Sequence, residues 1–376
     1  MTVISAGAMV LDGQVRRPGW LATSGGRILA CGAGAPPRPA DEDFPDSVVV
    51  PGFIDMHVHG GGGASYSDAR DITDADGVAD FHLRHGTTTT LASLVTASPT
   101  ELIAGVRALA GATRRGTVAG IHLEGPWLSR ARCGAHDPNQ MRDPDPAEID
   151  AVLAAGGDAI RMVTLAPERA GSEWAIRRFL DAGVVVAVGH TDASYEQVLC
   201  AVDLGATVGT HLFNAMAPLH HREPGPALAL LEDPRVTVEL IADGVHLHPA
   251  VVRAAIEAAG PERVALVTDA IAAAGCEDGA FQLGTVAIDV TWGVARVHGT
   301  STIAGSTATM DALFRAVAGP GSDAALAAAV QMTSATPARA LGLDGVGELR
   351  VGYDANLVVL DGDLQVNAVM VRGRMA

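Results

Sequence analysis

The chain has 376 residues and a formal net charge of −17, from 43 acidic and 26 basic residues, which argues against nucleic acid as a partner. All 26 basic residues are arginine, so a phosphate-loop lysine, a Schiff-base lysine and a carbamylated lysine bridging two metals are excluded. Apolar residues make up 48%, enough for a large packed core, and no window approaches the ~20 apolar residues of a membrane span.

The start, MTVISAGAMVLDG, has neither a basic n-region nor a long apolar stretch, so no signal peptide is expected. Cys31, Cys133, Cys200 and Cys276 are scattered without a CxxC pair, which suits a reducing cytoplasm. Residues 1–50 hold hairpin-like segments, MVLDGQV and WLATSGGRILACG, followed by a Pro-rich loop, GAGAPPRPADEDFPD. Eight short β-branched runs then recur, each followed by a polar or glycine-rich break and a helical pattern. They are FIDMHVH (53–59), TTTTLASLV (87–95), VAGIHLEG (118–125), IRMVTLAPE (160–168), VVVAVGHTD (184–192), ATVGTHLFN (206–214), VTVELIADGVH (236–246) and VALVTDA (264–270). Near-continuous apolar strands belong to parallel sheets covered on both faces, and eight such units predict a TIM barrel. A doubly wound sheet explains less well why so many strands end in polar residues.

A further hairpin is expected at 281–299, and residues 346–376 read as short strands broken by Gly-Asp turns. The predicted fold is therefore α/β. Residues 1–50 and 345–376 form a small β-sandwich, and 51–344 form a (β/α)8 barrel inserted between its halves.

In VVVPGFIDMHVHGGGG the histidines His57 and His59 are two apart, so both imidazoles leave an extended chain on the same side. A lone buried histidine is usually a satisfied core residue. The mouth of a barrel, however, gathers the C-terminal ends of its strands, where catalytic residues sit. Those ends supply His57 and His59, Glu124, His190, His211, His246 and Asp269. Imidazole and carboxylate donors suit zinc and neighbouring divalent ions. Six donors (His57, His59, Glu124, His190, His211, Asp269) exceed the needs of one catalytic zinc and predict two ions. Without lysine the bridging anion is a carboxylate, for which Glu124 is the choice, and His122 is read as a packing or supporting group.

The stretches PGFIDMHVHG, GIHLEGPWLSRARCGAHDP, VGHTDA, GTHLFNAMAPLHHREPG, IADGVHLHP, VTDAI and TIAGSTATM resemble the N-acetylglucosamine-6-phosphate deacetylase family of the amidohydrolase superfamily. Some members replace the HxH pair and bind one metal; His57 and His59 place this chain with the two-metal branch. The resemblance implies cytoplasmic deacetylation of N-acetyl-D-glucosamine 6-phosphate by a metal-activated hydroxide, in amino-sugar catabolism and cell-wall recycling. Two divalent ions per subunit are implied, zinc first, with iron, manganese or cobalt as alternatives. Asp269 is then the general base and acid, and His136 of CGAHDP the donor to the developing oxyanion. Arg222 matches the phosphate arginine, with His246 beside it, and Asp243 precedes it in the same ADGVH segment. Ala135, Asn214, Ala215, Ile303, Ala304 and Gly305 are the expected sugar contacts. A homodimer is implied, because relatives take some contacts from a neighbouring subunit.

Rival readings use the same donors: hydrolysis of an N-acyl amino acid or cyclic amide, phosphotriester hydrolysis, or a non-catalytic scaffold. Gly60–Gly63 lack GxGxxG spacing and read as a plain loop. His82 and His85 are placed on a helix away from the mouth. His220, His221, His248 and His298 are read as loop or surface groups, with the first two close enough to assist Arg222. Cys133 is read as an inert loop thiol, in a segment that is a candidate lid.

Overall fold

The computed structural model describes residues 1–68, 72–319 and 322–376. They fall into two compact units, one of Met1–Asp55, Phe81–Thr89 and Thr309–Ala376, the other of Met56–Asp80 and Thr90–Ala308.

In the first unit both chain ends enter one mixed sheet. The strand Glu42–Pro51 lies between Thr2–Leu11 and Leu357–Leu360, parallel to the former and antiparallel to the latter. Alternate residues such as Ile4, Ala6, Leu357 and Val359 share one buried face, the period-2 signature of a half-buried sheet. The parallel pair departs from the expected hairpins. After Gly19–Ser24 and Arg27–Ala33 the chain crosses back over Thr2–Leu11 and re-enters on its other side. That returning strand begins inside the predicted Pro-rich loop. Its ladder shifts register between Ala6 and Ala8, where Pro45 has no N–H to give.

The eight predicted barrel strands are present in order, each parallel to the next. They are Phe53–Asp55, Thr87–Leu94, Gly120–Glu124, Ile160–Leu165, Val185–Val188, Val208–Gly209, Thr237–Leu240 and Val264–Leu266. Past the strand ends, Asp269 N–H donates to the His57 carbonyl at 2.9 Å and His59 N–H to the Ala270 carbonyl at 2.8 Å. The segments that follow the eighth and first strands thus join. The fifth, sixth and eighth strands stop short of the apolar runs that predicted them, and the candidate site residues follow outside the ladder. His190, His211 and Asp269 have φ of 46°, 25° and 48°, left-handed values that no strand contains.

Helices start where the sequence offers caps: Ser98 and Ser194 close capping boxes over Pro99–Arg115 and Tyr195–Leu204. The predicted hairpin at 281–299 is a three-stranded antiparallel sheet of Gly279–Leu283, Val286–Thr291 and Val294–Val297. His82 lies on Ile72–Arg84 as expected, whereas His85 sits just beyond it, its Nδ1 3.2 Å from Asp311. Among the described residues no helix is long and apolar enough to cross a membrane.

Candidate active site

Six side chains drawn from five barrel strands and the residues after them converge in the second unit. Their donor atoms form two triads, His57–His59–Asp269 and Glu124–His190–His211. In the first, the two Nε2 atoms stand 3.1 Å apart, and Asp269 Oδ1 lies 3.5 Å from His57 and 3.2 Å from His59. In the second, Glu124 Oε1 lies 3.2 Å from His190 Nε2 and 3.0 Å from His211 Nε2, with those nitrogens 3.1 Å apart. Glu124 joins the triads, since its two oxygens are also 3.4 Å from His57 Nε2 and 3.2 Å from His59 Nε2.

These spacings test whether a cation fits. Two donors ~2.1 Å from one tetrahedral ion stand ~3.4 Å apart, close to every distance above. Four imidazoles aiming Nε2 at two buried carboxylates is the arrangement a divalent cation pair would organise. The residues fit the divalent metal that the donor chemistry implies.

The electrostatics agree. Burial disfavours charge on His57, yet Glu124, Glu239 and Asp269 outweigh it and raise its pKa well above the ordinary value. His59 is likewise pushed up, against burial, to about 9 by Asp269 and Glu124. Burial would raise both carboxylates. The charge of His57, with the hydrogen bond from His136, holds Glu124 well below its usual range, and His57 with His59 does the same for Asp269. The pocket is one that demands positive charge.

Supporting contacts fix the rings. His57 Nδ1 donates to Glu239 Oε2 at 3.0 Å, and His190 Nδ1 donates to the Arg132 carbonyl at 2.8 Å. Each turns its Nε2 toward the triads, the nitrogen suited to a ligand role. His122 is fully buried below them, its ring nitrogens 2.9 Å from Ser93 Oγ and 2.8 Å from Thr164 Oγ1. Burial, then the charge of His57, keeps it neutral. Its ring meets the His57 ring edge-on at 4.5 Å, a packing contact. Glu239 was missed by reading the sequence. The available signal was a lone glutamate in an otherwise apolar strand, a group that is costly to bury without partners.

His136 stands over the triads, Nε2 3.1 Å from Glu124 Oε2. Its Nδ1 accepts from the Thr96 backbone N–H at 3.2 Å, and Thr96 Oγ1 lies 2.9 Å away. Since that backbone group can only donate, Nδ1 carries the lone pair and Nε2 the proton. Burial drives its pKa to about 4, so the ring is a neutral N–H donor at neutral pH.

A cavity of about 390 Å³ opens above the donors, lined by Ala135, Asn214, Ala215, His246, Ile303 and Gly305 among others. Asp243 does not line it but holds His246, whose Nδ1 donates to Asp243 Oδ2 at 2.8 Å. Ala304 is buried in the apolar cluster behind the wall. Arg222 is exposed, its guanidinium 2.8 Å from His221 Nε2, and is not among the lining residues. The cavity's arginine is Arg132, paired with Asp192 at 2.7 Å. The segment from Ser129 to His136 is tied down at His190: Ser129 N–H donates to its carbonyl, and the Arg132 carbonyl accepts from its ring.

Comparison with known proteins converges on one group. The Amidohydrolase family matches residues 48–376. The chain is 53% identical to a mutant of N-acetyl-D-glucosamine-6-phosphate deacetylase from Mycobacterium smegmatis, solved in complex with N-acetyl-D-glucosamine-6-phosphate. That likeness covers 100% of this chain and 98% of the other, with a TM-score of 0.97. It is 40% identical over 350 residues to the N-acetylglucosamine-6-phosphate deacetylase of Danio rerio, covering 88% of this chain and 85% of that one. It is 38% identical over 335 residues to the N-acetylgalactosamine-6-phosphate deacetylase of Escherichia coli O157:H7, covering 88% of each chain.

Proposed function

The chain belongs to the amidohydrolase family, and on that premise we propose that it hydrolyses N-acetyl-D-glucosamine 6-phosphate to D-glucosamine 6-phosphate and acetate. The observation that carries this reading is the pair of donor triads joined by Glu124 beneath a cavity that admits a small molecule. Bound there, divalent cations, zinc by preference for this mixed imidazole and carboxylate set, supply the charge that acidifies a water and polarises a carbonyl.

The chain's own residues do the rest. Asp269 takes the proton of the attacking water and delivers it to the sugar nitrogen, because an amide nitrogen does not leave unprotonated. His136, neutral and protonated at Nε2, donates to the carbonyl oxygen as it gains charge. Asn214, Ala215 and the Ile303–Gly305 segment hold the sugar, and His246, braced by Asp243, faces it. Arg222 grips the phosphate with its planar fork. Since its guanidinium does not line the cavity of its own chain, this role calls for a second copy, hence a homodimer. The setting is cytoplasmic amino-sugar catabolism. A second reading, the galactosamine epimer, is favoured by the name of the Escherichia coli relative.

Acetate release from the 6-phosphates of N-acetylglucosamine and N-acetylgalactosamine, and from unphosphorylated N-acetylglucosamine, tests all of this. The glucosamine phosphate should turn over fastest; faster turnover of the galactosamine form selects the second reading, and equal turnover with and without phosphate removes the phosphate claim. Arg222→Ala should lower kcat/KM for the phosphorylated sugar by ~10–100-fold, the worth of one or two charge-assisted hydrogen bonds.

A further inference from the structure

Glu239 belongs to neither triad, and no part of the proposed reaction uses it. It sits in the middle of the seventh barrel strand, Thr237–Leu240, with its side chain wholly buried. One oxygen, Oε2, accepts from two places at once: from His57 Nδ1 at 3.0 Å and from the His211 backbone N–H at 3.1 Å. His57 is a donor of one triad and His211 of the other. The second oxygen, Oε1, is buried with no hydrogen-bond partner among the described residues. A carboxylate buried this deeply is costly, and a neutral amide would satisfy the same two N–H donors with its carbonyl oxygen. The charge itself therefore needs a reason.

Charge balance supplies one. Glu124 and Asp269 carry two negative charges, which one divalent cation neutralises. A second divalent cation in the same low-dielectric space calls for further negative charge close by. Glu239 provides it on the far side of His57, where it cannot compete for a coordination position. Its hydrogen bond also keeps the Nδ1 proton of His57 in place, so that Nε2 is the nitrogen that gives up its proton on ligation. We propose that Glu239 is a positioning residue whose carboxylate makes His57–His59–Asp269 a second divalent-cation site, holding the His57 imidazole and the His211 backbone in register. This rests on the two-metal reading above and adds to it the group that lets the second ion bind.

The experiment uses the full chain, stripped of metal and titrated with Zn2+ against a chromophoric chelator. Wild type should take up two ions per chain. Glu239→Gln keeps the shape and the acceptor and removes the charge. One ion should bind as in wild type and the other ~10–100-fold more weakly, the usual cost of losing a group that backs a ligating histidine. His59→Asn should weaken that same ion, which identifies the triad concerned. The thermal midpoint of the metal-free protein should match between wild type and Glu239→Gln, and Glu239→Asp, too short to reach His57 but charged, should retain more of the second ion than Gln. Two ions held by Glu239→Gln with wild-type affinity would overturn the proposal while leaving the two-metal reading intact. Equal weakening of both ions with a lowered midpoint would overturn it as well, showing a plain core residue. Uptake of one ion or none by wild type would sink the two-metal reading and this inference together.

Discussion

In the triad His57–His59–Asp269 two donors come from one three-residue segment, and the third lies beside it through the hydrogen bond from Asp269 N–H to the His57 carbonyl. In Glu124–His190–His211 the donors span 87 residues of chain, and two of the three have positive φ. The rings are also backed differently: His57 by the charged carboxylate of Glu239, His190 by the neutral carbonyl of Arg132. The first triad thus rests on a local, charge-backed histidine pair, with left-handed backbone only at Asp269; the second is dispersed, with left-handed backbone under two of its three donors. Each difference suggests a way to separate the halves.

The largest effect belongs to the local half. In the proposed reaction Asp269 is the one candidate donor that also carries the proton, so Asp269→Asn should lower kcat by ~10²–10⁴-fold, the usual worth of a positioned acid or base. His59→Asn loses a ligand of the same triad but keeps that carrier, and should cost less. Comparing kcat with the metal count per chain separates the two roles. Equal losses for both variants would make Asp269 a ligand and nothing more.

This asymmetry also explains what could be read in advance. His57 and His59 announce themselves because a two-residue spacing keeps its meaning in any extended segment. Glu124 follows from being the last residue of an apolar strand. His190, His211 and Asp269 were visible as residues at strand ends, but not the left-handed turns that aim them inward, since neither His nor Asp signals φ as glycine does. The same turns are why the fifth, sixth and eighth predicted strands ran too long. Glu239 stayed hidden inside VTVELIAD because its partners lie 182 and 28 residues away. Arg222 illustrates the opposite limit: a motif names the residue, but side-chain direction is set by the fold around it.

A second effect is one of pH. Without metal, His59 holds its proton up to about pH 9 and His57 is also raised, whereas ligation needs both rings neutral at Nε2. Below a pH of about 9, then, ion binding at this triad displaces protons. Its affinity should fall by at least about tenfold per unit as the pH drops below that value. Read as stability, the same shift stabilises the metal-free fold below the unfolded-state pKa of ~6.5 and is lost as the pH climbs through about 9. Zn2+ affinity measured by chelator competition from about pH 7 to about pH 9 checks the slope. A flat profile would mean that the rings are neutral before the ion arrives.

The smallest effect probes the dispersed half alone. Gly134 has φ +54°, and a Cβ placed there would lie 3.1 Å from Cε1 of His190, tighter than ordinary contact. Gly134→Ala should therefore cost ~1–2 kcal/mol of stability from the left-handed backbone, plus whatever the displaced imidazole loses. The ring has no easy retreat, because His190 is held at Nδ1 by the Arg132 carbonyl and at Nε2 by Glu124. Pressure at this point reaches the Glu124–His190–His211 ion and leaves the His57 side untouched, so the ion that Glu239→Gln spares is the one that Gly134→Ala should loosen. Zinc titration of the two variants side by side, with thermal melts of the metal-free proteins, reads out that reciprocity. If both variants weaken the same ion, the two halves share one support, and the contrast between charge-backed and backbone-backed ligands does not hold.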